Sequence, residues 1–282
     1  MRFEVLTLFP GLFASFLAES LMARALARGL VRIEIIDVRD FAGGNHRTAD
    51  DRPFGGGPGM VLMPGPLCAA IDSRLGVPGV PPLVVHLTPA GRRLDQALVR
   101  ELHSRRRLIM VCGRYGGVDG RVAAIHPGLE LSVGDYVLNG GEIPAMAVME
   151  AVSRLVPGYL GERESLEGEC FSEGMLSAPQ YTRPRIFRGL AVPDVLLSGN
   201  HREIDLFRRR EAAKVTRAAR PDLLDPDAPR AAEPRRAGEP DREPEAPGKA
   251  ESRVKPAGQD GPEAGKDAGP HAPAGHGGDS ES

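Results

Sequence analysis

The segment His46–Met60 (HRTADDRPFGGGPGM) combines residue types that could bind a nucleic acid. It begins with a cluster of basic and acidic side chains and continues into glycine and proline. Arginine and histidine can hold phosphate groups, and aspartate can read the edge of a base. A loop of this length is uncommon without a function, although a surface loop closed by internal salt bridges is the alternative. The candidate substrate-binding residues are His46, Arg47, Asp50, Arg52, Gly57, Pro58 and Gly59.

Three glycine-rich segments follow apolar runs that are typical of buried strands: Thr88–Gly91, Gly113–Gly117 and Val133–Gly141. Ligands of open α/β sheets bind at the carboxyl ends of strands, and glycine lets the backbone approach a ligand closely. One such segment alone is more often a tight turn, but three together favour a ligand site. The sequence has no GxGxxG after its first strand, no GxxxxGK[ST] and no HExxH, and its seven histidines are scattered. It therefore indicates no dinucleotide site, P-loop or metal site.

The elements that must position these segments alternate between strands and helices. The predicted strands are Arg2–Leu8, Val31–Val38, Leu83–Leu87, Leu108–Cys112 and Leu129–Val133. The predicted helices are Leu12–Ala27, Leu67–Leu75, Leu94–Ser104, Val118–Ala124, Ile143–Val156 and the charged His201–Ala219. Such alternation predicts an α/β fold with a mostly parallel sheet and flanking helices, and the last helix predicts a small helical C-terminal domain.

Composition excludes several classes of protein. The chain has 282 residues, of which 41% are hydrophobic, so it can bury a sizeable core. Its three cysteines, Cys68, Cys112 and Cys170, have no CxxC spacing and argue against a disulfide scaffold. No apolar run approaches the roughly 20 residues that span a bilayer, and the N-terminus lacks the cleavage site of a signal peptide. We expect a soluble, cytoplasmic protein without a membrane partner.

The C-terminal part of the chain has a different composition from the rest. From Pro221 to Ser282 there are 14 acidic and 8 basic residues, whereas residues 1–220 carry 28 basic and 24 acidic ones. After Leu224 the only large aliphatic residue is Val254, so this segment cannot bury enough apolar surface to offset its chain entropy. We predict a disordered acidic tail, either a solvated extension or a binding segment. The predicted organisation is a catalytic domain (1–160), a linker (161–180), a helical C-terminal domain (181–222) and the tail (223–282).

Seven segments together resemble one known family. They stand in this order: HRTADDRPFGGGPGM (46–60), LTPAGRRLDQ (87–96), LIMVCGRYGGVDGRV (108–122), LSVGDYVLNGGEIPAM (131–146), SRLVPGYLG (153–161), YTRP (181–184) and VPDVLLSGNH (192–201). Residues 1–222 closely resemble the bacterial tRNA (guanine-N1)-methyltransferases. These enzymes methylate the guanosine immediately 3′ of the anticodon, at tRNA position 37. The tail has no counterpart in the resemblance.

The resemblance implies more than residue patterns can show. It implies a trefoil knot in the sheet, a feature that the rarity of threaded chains would argue against. It also implies S-adenosylmethionine in the knotted loops, a homodimer, and a tRNA bound across both subunits by the C-terminal domains, with no DNA partner. A divalent ion such as Mg²⁺ is expected, although no ligand spacing indicates one. The implied cofactor-binding residues are Pro89, Gly91, Gly113, Tyr115, Val133, Gly134, Asp135, Tyr136, Val137, Leu138, Gly140 and Gly141.

The reaction requires a general base, because guanine N1 carries a proton and is a poor nucleophile. Negative charge develops on O6, so a nearby cation assists. By the resemblance, the base is Glu169 and the cation is Arg154. Glu169 is usually an aspartate in the family, and Gly116 is usually a glutamate. The alternatives without a catalytic role are that Glu169 is an ordinary solvent-exposed charge and that Arg154 forms a surface ion pair with Glu150.

Two other functions remain open at this point. The first is a tRNA-binding knot protein with little or no activity, which the residues at 116 and 169 would favour. The second is a related knotted methyltransferase that acts on ribosomal RNA. The segment His46–Met60 and the motifs YTRP and SGNH argue against the latter, because they resemble the tRNA enzymes in particular.

Overall fold

The protein is described by a computed structural model that covers residues 1–160, 169–171 and 174–224. The strands are β1 (Arg2–Thr7), β2 (Arg32–Asp37), β3 (Asp50–Asp51), β4 (Val61–Leu62), β5 (Leu83–Arg93), β6 (Arg107–Cys112), β7 (Leu129–Ser132), β8 (Ile186–Phe187) and β9 (Leu190–Ala191). The helices are α1 (Ala14–Ala18), α2 (Ser20–Ala27), α3 (Pro64–Leu75), α4 (Gln96–Arg105), α5 (Gly120–Ile125), α6 (Glu142–Ser153) and α7 (His201–Ala219).

A five-stranded parallel sheet organises the described part of the chain. Its strand order is β2-β1-β6-β5-β7, and every neighbouring pair is parallel. Two small antiparallel hairpins, β3–β4 and β8–β9, accompany it. The predicted α/β fold with a mostly parallel sheet is confirmed, while the trefoil knot stays a prediction.

Side chains of the central strands alternate between two apolar layers, as expected for a sheet buried on both faces. In β6, Leu108 and Met110 point into one layer and Ile109 and Val111 into the other. The first layer is covered by α4 and α6, and the second by α3 and α5. All six residues of β6 are buried, so this central strand carries the loop after Cys112 on a rigid support.

Several predicted elements have different bounds in the structure. The predicted helix Leu12–Ala27 is a 3₁₀ turn followed by α1 and α2, because Glu19 is extended and Ser20 has a positive φ of 57°. The predicted strand Leu83–Leu87 continues to Arg93, with an irregularity between Leu87 and Arg92. The charged helix His201–Ala219 is confirmed as α7.

Helix starts follow familiar capping chemistry. The Asp95 carboxylate accepts a hydrogen bond of 2.8 Å from the Leu98 amide at the start of α4. The Asn200 side chain accepts from the Glu203 amide in the same way at α7.

The predicted domain boundaries stay predictions. Residues 161–168 and 172–173 of the predicted linker and 225–282 of the predicted tail lie outside the described residues. Among the described residues, no helix is long and apolar enough to cross a bilayer.

Candidate cofactor and catalytic site

A cavity of about 380 Å³ opens at the carboxyl edge of the sheet, where β5, β6 and β7 end. Its volume lies in the usual range for small-molecule sites. Of the twelve predicted cofactor-binding residues, ten line it: Pro89, Gly113, Tyr115, Val133, Gly134, Tyr136, Val137, Leu138, Gly140 and Gly141. The structure therefore brings the three glycine-rich segments together around one space.

The other two predicted cofactor-binding residues lie outside the cavity lining. Gly91 packs against the backbone of β7, where an added Cβ would lie 2.7 Å from the Glu130 carbonyl oxygen. The Asp135 side chain is largely exposed and lies 3.7 Å from the Arg93 guanidinium.

Backbone contacts hold two of the cavity loops against each other. The Gly141 amide donates to the Gly113 carbonyl at 2.9 Å. An added Cβ on Gly141 would lie 2.7 Å from the Cα of Cys112, so only glycine lets the start of α6 approach β6 this closely. Burial raises the pKa of the Cys112 thiol, and the nearby Glu142 carboxylate raises it further, so this thiol stays protonated.

Asp119 lines the cavity and was not singled out by the sequence analysis. Its carboxylate accepts hydrogen bonds from the Arg121 side chain and the Arg121 amide, which lower its pKa to about 2. It therefore stays ionised at neutral pH, with its charge paired to the Arg121 guanidinium at 2.7 Å. Its position as the residue before α5 is a capping signal that could have drawn attention to it.

The segment His46–Met60 is attached to the loop that follows β6. The Gly116 amide donates to the Met60 carbonyl at 2.8 Å, and the Leu62 amide donates to the Gly117 carbonyl at 3.0 Å. Phe54 near the tip of the segment is 97% exposed. The candidate substrate-binding segment thus borders the cavity.

The individual residues of that segment differ in their surroundings. The exposed residues are His46, Arg47, Arg52, Gly57, Pro58 and Gly59, while Asp50 is partly buried in β3. Arg47 forms an ion pair with Asp40, which lies outside the segment. Most of these groups face solvent, where a macromolecular ligand could reach them.

Arg154 and Glu169 form an ion pair with each other, so the structure brings the two predicted catalytic residues together. Glu150, the alternative partner of Arg154, instead accepts a hydrogen bond of 3.5 Å from the Tyr159 hydroxyl. Burial raises the pKa of Tyr159 to about 12, and the Glu150 carboxylate adds to the shift.

The predicted catalytic pair and the cavity lie at opposite ends of α6. Glu142 begins this helix beside the cavity, and Arg154 follows its last residue. At 1.5 Å per residue the helix separates the two ends by about 18 Å. Neither Arg154 nor Glu169 lines the cavity within one chain.

A second cleft of about 480 Å³ lies in the C-terminal part of the described chain. Its lining includes Arg183, Arg185, Arg208 of α7 and Tyr181. Three guanidinium groups and an aromatic ring suit a phosphate-bearing ligand.

Metal ligation is not evident in the described ranges, where no group of three or more His, Cys, Asp or Glu side chains could hold an ion. The divalent ion implied by the resemblance stays a prediction.

The parallel sheet and the glycine-lined cavity at its carboxyl edge define an α/β protein with a small-molecule site at the strand ends. A family model described as "tRNA (Guanine-1)-methyltransferase TrmD" matches residues 1–226, and the chain belongs to this family.

Curated relatives carry the same description. A "tRNA (guanine-N(1)-)-methyltransferase" of Anaeromyxobacter sp. (strain Fw109-5) is 52% identical over 228 residues, which are 80% of this chain and 91% of the relative. Proteins of the same name from Thermus thermophilus and Thermomicrobium roseum are each 50% identical over 224 residues. These cover 79% of this chain and 92% and 83% of the relatives.

Proposed function

We propose that this protein methylates guanine N1 in tRNA, at the guanosine that follows the anticodon, with S-adenosylmethionine as methyl donor. The observation that carries the proposal is the family match over residues 1–226, which includes every residue around the cavity. A tRNA substrate supports a cytoplasmic location, which is part of the proposal.

The cavity suits S-adenosylmethionine in size and lining. Its glycine-rich loops leave backbone groups open to a ligand, and Val137 and Leu138 supply apolar surface for an adenine ring. When bound, S-adenosylmethionine supplies an electrophilic methyl group.

In this proposal Glu169 removes the proton from guanine N1, and the Arg154 guanidinium stabilises the negative charge that develops on O6. The observed ion pair supports this, because it holds both groups at one place. The target base must leave its stack to reach them. The exposed segment His46–Met60 and the arginine-lined cleft supply contacts to the rest of the tRNA.

The separation along α6 supports a homodimer. Within one chain the catalytic pair is about 18 Å from the cavity end of the helix. Methyl transfer needs the reacting atoms within roughly 3.5 Å. A second copy of the chain that presents its Arg154 and Glu169 to the cavity of the first would close this gap.

The activity is tested with purified protein, labelled S-adenosylmethionine and a tRNA transcript that has G at position 37. Label should enter this transcript and not one with A at that position. Glu169→Gln keeps the shape but not the basicity, so turnover should fall at least about a hundredfold, while cofactor affinity stays unchanged. Full activity of Glu169→Gln would reject Glu169 as the base and direct the test to Asp50.

The same assay separates the two other functions. A protein that binds cofactor and tRNA without transfer would be a binding protein, and label in a ribosomal RNA fragment alone would assign the other substrate. Glu169→Asp restores the usual family residue, and its activity relative to the natural protein shows whether the site has adapted to the longer side chain.

The shared site is tested by mixing two inactive variants. Glu169→Gln removes the proposed base. Gly134→Val disrupts the cavity lining, because an added Cβ would lie 2.5 Å from the ring of Tyr136, which also lines the cavity. Mixed dimers then contain one intact composite site, which should restore about a quarter of the natural activity in a random mixture. No recovery in mixed dimers would show that each chain works with its own residues.

A further inference from the structure

An ion pair between a buried carboxylate and a partly exposed guanidinium lies beside the cofactor cavity. Glu142, the first residue of α6, is 1% exposed. Its Oε2 lies 3.2 Å from Nε of Arg114, which belongs to the loop after β6. Neither residue carries a role in the reaction proposed above.

The other carboxylate oxygen of Glu142 is bound to the end of β1. The Thr7 hydroxyl donates to Oε1 of Glu142 at 2.8 Å, and the Phe9 amide donates to the Thr7 hydroxyl oxygen at 2.9 Å. The Arg114 guanidinium lies 4.5 Å from the centre of the Phe9 ring, within cation–π distance. Three separate parts of the chain therefore meet at this carboxylate.

The ion pair sets the spacing between two cavity loops. Arg114 donates to the Asn139 carbonyl at 3.4 Å, so it reaches across from the loop after β6 to the loop before α6. An added Cβ on Gly140 would lie 2.5 Å from both Nε of Arg114 and Oε2 of Glu142. The ion pair thus occupies the space beside Gly140, and both loops line the cavity.

A second ion pair in the same sheet provides a comparison. Glu4 of β1 and Arg107 of β6 are 0% and 3% exposed, and their charged atoms approach to 2.9 Å. This pair lies at the amino ends of the strands, away from the cavity. Removing one partner of either pair should destabilise the fold, but only the Glu142–Arg114 pair joins loops that line the cavity.

We propose that Glu142 and Arg114 are positioning residues that hold the loops at 113–117 and 139–141 in the arrangement that binds S-adenosylmethionine. The inference rests on the proposed function, since it assigns the cavity to that ligand. Its consequence is that loss of the ion pair weakens cofactor binding more than it slows the reaction of the saturated enzyme.

The test compares Glu142→Gln with Glu4→Gln in the full-length protein. Both substitutions remove the charge from a buried carboxylate without changing its size. Calorimetry gives the Kd for S-adenosylmethionine, urea unfolding gives stability, and steady-state kinetics give KM and kcat. Glu142→Gln should raise Kd and KM about tenfold or more, since small displacements of binding groups are costly, with kcat within about threefold. The Glu4→Gln variant should be less stable to urea than the natural protein, and its Kd for S-adenosylmethionine should be unchanged.

Thr7→Val is a milder variant that leaves both charges in place and removes one hydrogen bond to Glu142. It should raise Kd in the same direction by a smaller factor, and it decides the question if Glu142→Gln does not fold. An unchanged Kd in Glu142→Gln, or in Thr7→Val if only that variant folds, would show that the ion pair is merely structural. If the natural protein itself does not bind S-adenosylmethionine, the proposed function fails first.

Discussion

At Gly91 a single added methyl group should both destabilise the sheet and weaken cofactor binding. Gly91 lies in the extension of β5, at the irregularity before Arg92 pairs with Leu131 of β7. An added Cβ would lie 2.7 Å from the Glu130 carbonyl oxygen and still closer to the Leu131 amide nitrogen. These are backbone atoms, so they cannot rotate away as a side chain would.

The magnitude follows from the displacement. To restore normal separations of about 3.5 Å, β7 must move by roughly 1 Å. Such a shift lengthens the neighbouring bond from the Leu94 amide to the Ser132 carbonyl, now 2.7 Å, beyond useful range. Overpacking costs about 1–3 kcal/mol and each weakened buried hydrogen bond about 1 kcal/mol more. We therefore expect Gly91→Ala to lower the free energy of unfolding by about 2–4 kcal/mol, a large part of the stability of an ordinary domain.

Cofactor affinity should fall as well, because Glu130, Leu131 and Ser132 line the cavity. Gly128→Ala is the matched control, since its Cβ would meet the Val84 backbone just as closely but at the amino end of β7, outside the cavity lining. Urea unfolding should show similar losses for both variants, and calorimetry should show weaker S-adenosylmethionine binding for Gly91→Ala alone. A Gly91→Ala protein with natural stability and affinity would refute this reasoning.

Three further outcomes are expected. Gly116→Glu should lower the rate of methyl transfer, because a Cβ at this position would lie 2.9 Å from the Met60 carbonyl oxygen. A higher rate would show instead that the missing carboxylate limits the enzyme. Truncation after Leu224 removes 13 acidic and 8 basic residues. Because the removed segment is net acidic and tRNA is a polyanion, turnover should be unchanged and tRNA affinity equal or slightly higher at low salt. Several-fold weaker tRNA binding would show that the tail contacts RNA. The pKa of Tyr159, raised to about 12, means that its contribution to stability is full below pH 10 and is lost as pH rises through 12. Tyr159→Phe should therefore reduce the alkaline loss in urea unfolding and remove the latest step of the tyrosinate absorbance titration, and an unaltered titration would contradict the assignment.

Local patterns in the sequence were sufficient for the main elements and for the loops of the cavity. Strand and helix periodicities depend on neighbours within a few residues, which is why the central strands and α7 were predicted well. The glycine-rich segments were predicted to meet because the carboxyl ends of parallel strands share one edge of a sheet. The family resemblance added the cofactor, the substrate and the roles of Glu169 and Arg154.

Periodicity could not predict the break between α1 and α2. The helical spacing of apolar residues is the same on both sides of Glu19 and Ser20, whereas the backbone leaves the helical conformation at these two residues. The extension of β5 was missed for a similar reason, since proline and glycine at 89–91 are typical of a turn. Only the pairing with β7 keeps these residues extended.

Only the tertiary structure decided which distant groups share an environment. Thr7 and Glu142 are 135 positions apart in the chain and share a hydrogen bond in the core. The resemblance grouped Arg154 with Glu169, whereas helical spacing alone also allowed a surface pair with Glu150, and in the structure the Arg154 side chain contacts Glu169. Such contacts depend on how whole elements pack against one another. For the same reason only the structure shows that α6, roughly 18 Å long, separates the predicted catalytic pair from the cavity.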